Sequence, residues 1–242
     1  RHALDSPFGK PPLKEIARGR KNACIVVSDI TRPVPNKVVL PPVLSTLEDA
    51  GIPKERITIL IATGLHRPNL GKELEELVGP EIAAGYNVVN HYAKKDGEHA
   101  FVGNTGKGTP VFIDKRYVEA DFKILTGLIE PHLMAGYSGG AKAICPGCAS
   151  VKTVRVIHSP KFLESENATV GVIKGNPLRD EILEVAQMAG VDFIVNVTLN
   201  EKREIIGVFA GDFKEAQLEG IKQVEKTAKV RLDKAPDIIL TT

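Results

Sequence analysis

Tryptophan is absent, and eight phenylalanines and four tyrosines bring the aromatic share to only 5%. So few flat rings argue against a surface built to stack bases. Basic and acidic side chains nearly balance, 32 against 30, for a net charge of +2. That balance supplies no field for gathering a nucleic-acid backbone. Cysteine occurs three times, at 24, 145 and 148, too sparsely for a disulfide scaffold. No apolar run approaches the ~20 residues of a membrane span. No leader peptide is visible, so the cytoplasm is the expected compartment and neither membrane nor nucleic acid is an expected partner. What remains is a 242-residue chain, 43% hydrophobic and 26% charged, with the composition of a globular protein and length enough for a sizeable core.

Three apolar runs organise the chain. ACIVVSD (23–29), RITILIATG (56–64) and DFKILTG (121–127) are continuously apolar, as strands buried on both faces of a parallel sheet are. Between the first two, NKVVLPPVLSTLEDAG predicts a crossover helix beginning near Val43, after Pro41 and Pro42. A short charged helix is expected over 69–78 and a further strand over 86–91. Asn176 and Pro177 open a helix running to Ala189, as cap and first-turn proline. The segments 192–200 and 203–211 read as paired strands, and 213–228 as an amphipathic helix. The fold class is α/β, Rossmann-like, with a mostly parallel sheet and flanking helices. The chain opens on Arg1 and closes on APDIILTT. That last run reads as a strand needing a companion. The expectation is one α/β domain over 1–235, with 236–242 starting a further domain.

In open α/β sheets, ligands bind beyond the carboxyl ends of the strands. The three runs end there in SDITRP, ATGLHR and TGLIEPH. They bring Asp29, Thr31 and Arg32, then His66 and Arg67, then Glu130 and His132. Asp29 and Arg32 suit a clamp on each other and on a substrate carboxylate. His66 and His132 suit general acid–base work, and a pair of bases can serve both faces of one carbon. The third run leads into PHLMAGYSGGAKAICPG (131–147), which has four glycines and no acidic residue in seventeen positions. Gly136, Gly139 and Gly140 allow close backbone approach to an anion such as a phosphate. Lys142 lies among small residues where a lowered pKa would make it a nucleophile. The loop matches neither a Walker sequence nor the dinucleotide fingerprint. Cys145 and Cys148 read as packing, a redox pair or half a zinc site. His158, in VKTVRVIHSP, could point into the same crevice and bind a metal. His2, His91 and His99 receive no role.

SDITRP, GLHR, EPHLMAGYSGGAKAICPG and IHSP, in that order, resemble the nickel-dependent lactate racemase family over about residues 5 to 242. CPGC at 145–148 departs from the family's pattern. The resemblance implies the N-terminal part of a two-domain enzyme that racemises lactate or a similar 2-hydroxy acid. It implies a nickel pincer nucleotide (pyridinium-3-thioamide-5-thiocarboxylic acid mononucleotide), present only after maturation enzymes have supplied it. By the same resemblance Lys142 is the tether and His158 the protein's nickel ligand. His66 and His132 carry protons, while Asp29, Arg32, Gly136, Ser138, Gly139 and Gly140 surround cofactor and substrate. Three other readings stand beside it. They are an epimerase of another 2-hydroxy acid such as a sugar acid, a nucleotide- or anion-binding module without catalysis, and a zinc-dependent hydrolase using the histidines and the cysteine pair.

Overall fold

A computed structural model describes residues 1–234 together with Pro236 and Ile238. The strands are β1 (Ala23–Ser28), β2 (Ile57–Ala62), β3 (Asn87–Asn90), β4 (His99–Asn104), β5 (Pro110–Asp114), β6 (Phe122–Leu128), β7 (Pro131–His132), β8 (Gly136–Tyr137), β9 (Phe193–Leu199) and β10 (Ile205–Gly211). Among the described residues the main sheet has six strands in the order β10-β9-β6-β1-β2-β3. All its pairings are parallel except β9 with β10. Two small antiparallel ribbons, β4–β5 and β7–β8, lie outside it. The strand expected over 236–242 falls outside the described residues, save Pro236 and Ile238.

The unbroken apolar runs are explained by two cores, one on each face of the sheet. Ile25 and Val27, Ile59 and Ile61, Ile124 and Val195 face one layer, with Val39, Leu40, Val43, Leu44 and Leu47 of the helix Asn36–Asp49. Cys24, Val26, Leu60, Leu125 and Ile194 face the other, with Ile144, Val154, Ile157, Ile182 and Val185. Alternate side chains of each strand thus meet helices on opposite faces, so both faces of these strands are predominantly apolar.

One expectation is corrected. The first crossover helix starts at Asn36 and runs through both prolines. Each proline removes one backbone donor from the helix. The five apolar residues seated against the sheet outweigh that loss, because tertiary burial rather than local propensity supplies most helix stability. The helix Pro177–Ala189 begins as expected. Buried Asn176 accepts from the Leu178 and Arg179 amides through Oδ1, and donates through Nδ2 to the carbonyls of Met134 (2.9 Å) and Val172 (3.1 Å).

The sheet also receives the N-terminal segment. Phe8 bridges Gly211 in parallel fashion, its amide donating to the Ala210 carbonyl at 2.8 Å and its carbonyl accepting from Asp212 N at 2.8 Å. The Phe8 and Phe209 rings lie stacked at 6.2 Å.

The chain leaves β1 to build β2 and β3 on one side, then returns to place β6 on the other. The reversal puts a crevice beyond the carboxyl ends of β1 and β6, where ligands of such sheets are held.

Candidate active site

A cavity of about 300 Å³ opens at that reversal. Its walls come from every segment singled out in the sequence. Ser28 ends β1 and Asp29 and Arg32 follow it, Thr63 to His66 follow β2, and Thr126 to Leu128 end β6. His132, Ser138, Gly139 and Lys142 come from the glycine segment, and His158 from the end of the helix Val151–Ile157. Asp29 is the one carboxylate among the described lining residues, against Arg32 and Lys142. The cavity therefore favours an anionic occupant.

The three histidines face it in two hydrogen-bonded states, His66 and His158 in one and His132 in the other. Asp29, almost fully buried, places Oδ2 at 2.6 Å from His66 Nδ1. Its other oxygen accepts from the Thr31 hydroxyl at 2.6 Å and the Thr31 amide at 3.2 Å. A carboxylate can only accept, so neutral His66 carries its proton on Nδ1 and keeps a lone pair on Nε2. This is the base-and-orienter arrangement of acid–base sites. His158 Nδ1 lies 3.1 Å from the Val154 carbonyl, which also accepts. Its Nε2 lone pair is likewise free, the tautomer of a metal-ligating imidazole with a fixed second nitrogen.

His132 is the reverse. Its Nδ1 accepts from the backbone amides of Met134 (3.3 Å) and Ala135 (3.2 Å), which leaves the proton on Nε2. Burial brings its pKa down to about 4, and the positive surroundings of Lys142, Arg32 and His158 push the same way. The ring is therefore neutral in the unliganded protein. Replacing Lys142 by methionine removes one of those cations, and less repulsion favours the imidazolium. His132 in Lys142→Met should titrate at higher pH than in the wild type, read from its ring signals by NMR. A midpoint unmoved by the substitution would mean that the Lys142 charge does not act on the ring.

Lys142 sits in the short turn Gly140–Ala143. Burial lowers its amine to about 8. The neighbouring Cys145 pulls upward against this, and the Arg32 charge adds to the lowering. Cys145 itself is fully buried and pushed up to about 12 by that burial. A lysine partly deprotonated near neutral pH is a competent nucleophile.

Several expectations change. Asp29 and Arg32 do not clamp one another, because Asp29 is taken by His66 and Thr31. Exposed Arg32 has no carboxylate partner among the described residues and lines the cavity alone. Arg67 turns outward, gripping Glu73 through two bonds of 2.6 and 2.7 Å. Glu130 is outside the described lining. Gly136 is also outside it and is structural. A Cβ there would stand 2.3 Å from the Val172 carbonyl oxygen. Gly140 faces inward to Gln217 rather than outward to a ligand. Ser138 lines the cavity, but its hydroxyl donates to the Leu128 carbonyl at 2.7 Å and accepts from Glu130 N at 3.0 Å. Cys145 and Cys148 are wholly buried free thiols in the core, which resolves their role as packing.

Two features escaped sequence reading. Thr126 and Gly127 line the cavity, signalled only by the Thr-Gly near the end of β6. His91, given no role, is a fully buried brace. Its Nδ1 lies 3.2 Å from Asp114 Oδ2 and its Nε2 3.1 Å from the Ala149 carbonyl. Burial pushes the Asp114 carboxyl up, but bonds from Arg116 and His91 outweigh it and hold its pKa at about 2. The group fixes the loop that carries Pro146 and Gly147 into the cavity wall.

Residues 1–171 match the family model described as the lactate racemase N-terminal domain. The chain is 39% identical to a lactate racemase of Lactiplantibacillus plantarum over 228 residues, 94% of this chain and 54% of that protein. It is 35% identical to a lactate racemase of Thermoanaerobacterium thermosaccharolyticum over 242 residues, all of this chain and 56% of that protein. It thus spans about half the length of the curated relatives it matches. The lactate racemase apoprotein structure from T. thermosaccharolyticum superposes with a TM-score of 0.90 at 35% identity, covering 93% of this chain and 54% of that one. A Thermotoga maritima protein shares the fold, with a TM-score of 0.75 at 24% identity over 89% of this chain and 56% of that one.

Proposed function

The chain belongs to the lactate racemase family, through its N-terminal domain, and from that premise we propose that it forms the N-terminal catalytic part of a nickel-dependent racemase or epimerase of a small 2-hydroxy acid. The observation that carries the reading is the meeting of Lys142 with His66, His132 and His158 around one cavity, with Nδ1 of His66 and His158 facing an acceptor and Nδ1 of His132 facing two donors.

The donor set supports the cofactor. Among the described residues no group of three or more His, Cys, Asp or Glu is gathered for an ion. A metal here needs donors other than the chain's own. His158 Nε2 would supply the single protein ligand and Lys142 the covalent tether. Soft sulfurs plus one imidazole suit nickel. Bound there, a nickel pincer nucleotide supplies an acceptor for the substrate's α-hydrogen.

The chain's own residues perform the rest. Arg32 offers a planar fork to the substrate carboxylate. His66 Nε2 takes the hydroxyl proton while Asp29 steadies the resulting imidazolium. His132 is the second proton carrier. To hold a charge, its ring must release the Met134 and Ala135 amides, since protonated Nδ1 no longer accepts. The zinc-hydrolase reading loses its cysteine ligands, because both CPGC thiols are sealed in the core, and keeps only the histidines. Domain 1–235 as the folding unit, maturation enzymes as partners and a cytoplasmic site of action belong to the same proposal. No helix among the described residues is long and apolar enough to cross a membrane.

The test is direct. The complete gene product, produced beside the maturation enzymes, is given single enantiomers of lactate and of longer 2-hydroxy acids, including sugar acids. Chiral chromatography should detect interconversion of at least one, and metal analysis one nickel per chain. Stoichiometric zinc, or nickel-loaded protein that inverts no acid in the panel, would overturn the reading.

A further inference from the structure

The middle of β9 contains a residue that the surrounding core does not explain. FIVNVTL places Asn196 between apolar neighbours with no exposed surface. A buried amide costs free energy unless its donors and acceptors are matched. Asn196 finds its match in Gln217, only 3% exposed, on the helix Glu215–Ala228. Asn196 Nδ2 donates to Gln217 Oε1 at 2.6 Å, and Gln217 Nε2 donates to the Ser138 carbonyl at 2.6 Å. The Gly140 amide donates back to Asn196 Oδ1 at 3.5 Å, the longest of the three.

The bonds form a closed path. From the Ser138 carbonyl it passes through two side-chain amides and returns to the chain at Gly140 N. It takes hold of the peptide groups on both sides of Gly139. The fit is close. A Cβ on Gly140 would stand 2.8 Å from Gln217 Oε1, and one on Gly127 3.0 Å from Asn196 Oδ1. Gly139 and Gly140 both have positive φ, +76° and +53°, so their peptide groups cannot continue a regular α-helix or strand. Side chains must supply the partners that regular structure would have given its backbone. The turn that carries Lys142 begins at Gly140, and the Lys142 amide donates to the Gly139 carbonyl at 3.3 Å.

We infer that Asn196 and Gln217 are positioning residues: together they lock the Ser138–Gly140 backbone and so hold the Lys142 side chain in the cavity wall. Neither is among the residues that line the cavity, so they act through the glycine segment and not on a ligand. A core that needed only packing would place leucine or methionine at both positions. The amides specify one backbone path where the glycines would otherwise permit many.

The proposal rests on Lys142 being the reactive amine, but its test reads that amine's proton and does not depend on which cofactor it takes. The complete, unloaded protein is labelled with acetic anhydride across a pH series, and acetylation at Lys142 is quantified by peptide mass spectrometry. The midpoint of the rate profile reports the amine's environment independently of reagent access. Wild type should show a midpoint near 8. Gln217→Met and Asn196→Leu keep bulk and remove the amides. Each should raise the midpoint by about one unit or more, toward the ordinary lysine value of about 10.4. That is a roughly tenfold smaller neutral fraction at pH 7. Leu44→Ala, a cavity in the opposite core layer, provides the comparison for general destabilisation and should leave the midpoint in place. Circular dichroism at the labelling temperature confirms that each variant is folded. Should one amide variant fail to fold, the other and the milder Gln217→Leu carry the test. Unmoved midpoints in the folded amide variants would overturn the proposal, and so would an equal shift in Leu44→Ala. Failure of the cofactor reading would show instead as normal midpoints in a protein that never acquires an adduct.

Discussion

Lys142→Ala, produced beside the maturation enzymes, is expected to emerge at its unmodified mass while the wild type gains a nucleotide-sized adduct. The loss should be complete, because a covalent bond has no partial substitute once its nitrogen is gone. Lys142 has the features of a nucleophile: an amine lowered to about 8, in the wall of a cavity of about 300 Å³ that also contains His158. The variant should fold, since the side chain makes no hydrogen bond or ion pair among the described residues and its backbone bonds to Gly139 and Gly147 survive the change. His158→Ala separates the two functions. It should keep the adduct and lose nickel, since the tether remains and the imidazole ligand does not. Intact-mass spectrometry with metal analysis distinguishes the cases. A full-occupancy adduct on Lys142→Ala would remove Lys142 from its assigned place.

His66→Ala should retain adduct and metal and lose turnover by about 10²- to 10⁴-fold, the usual worth of a positioned acid–base group. Its partner gives a sharper test. Asp29→Ala leaves His66 without an orienter, so the ring samples both tautomers and part of the activity survives. Asp29→Asn can be worse than the alanine. The new amide N–H facing His66 Nδ1 would force that nitrogen to accept and move the proton to Nε2. The base would then lose its lone pair, an effect that has cost about 10⁴-fold in a serine protease triad. The expected order of kcat is therefore wild type, then Asp29→Ala, then Asp29→Asn, with His66→Ala at or near the bottom. Initial rates from each enantiomer measure it. Equal rates for Asp29→Asn and wild type would mean that the 2.6 Å contact does not set the tautomer.

The sheet could be read from the sequence because its chemistry is local. ACIVVS, ITILIA and FKILTGL are apolar at nearly every position, and only a strand covered on both faces demands that. The helix containing Pro41 and Pro42 could not be bounded, because what overrides two prolines is a sheet surface contributed by residues far away in the chain. The same division holds in the site. His66 and His132 follow strands and Lys142 lies in a glycine-rich run, so each has a local signal, whereas His158 at the end of a helix is marked by the IHSP motif. Their partners have no such signal. Asp29 stands three residues from Arg32 and thirty-seven from His66, yet the distant one takes it. Gly136 and Gly140 looked like ligand cradles because a glycine shows only that something approaches closely. Here the visitors are the Val172 carbonyl and the Gln217 side chain. Asn196, Gln217 and His91 had no local signature, since each is explained by residues 21 to 79 positions away.

The bridge between Phe8 and Gly211 bears on how the molecule behaves in a crowded solution. An open sheet ends in two strands whose outer peptide groups seek new partners, and long bare ones recruit other chains. β3, at one end, is only four residues long, a poor template for growth. β10, at the other, has seven residues and would be a good one. The N-terminal segment covers its Gly211 end, and Gly211 suits that cover because a Cβ would collide with the Phe8 carbonyl at 2.1 Å. Farther back, Ile206 and Val208 remain about two-fifths exposed. The first nine residues line no part of the cavity; what they change is the amount of β10 edge left open, because Phe8 already takes the peptide groups at its Gly211 end.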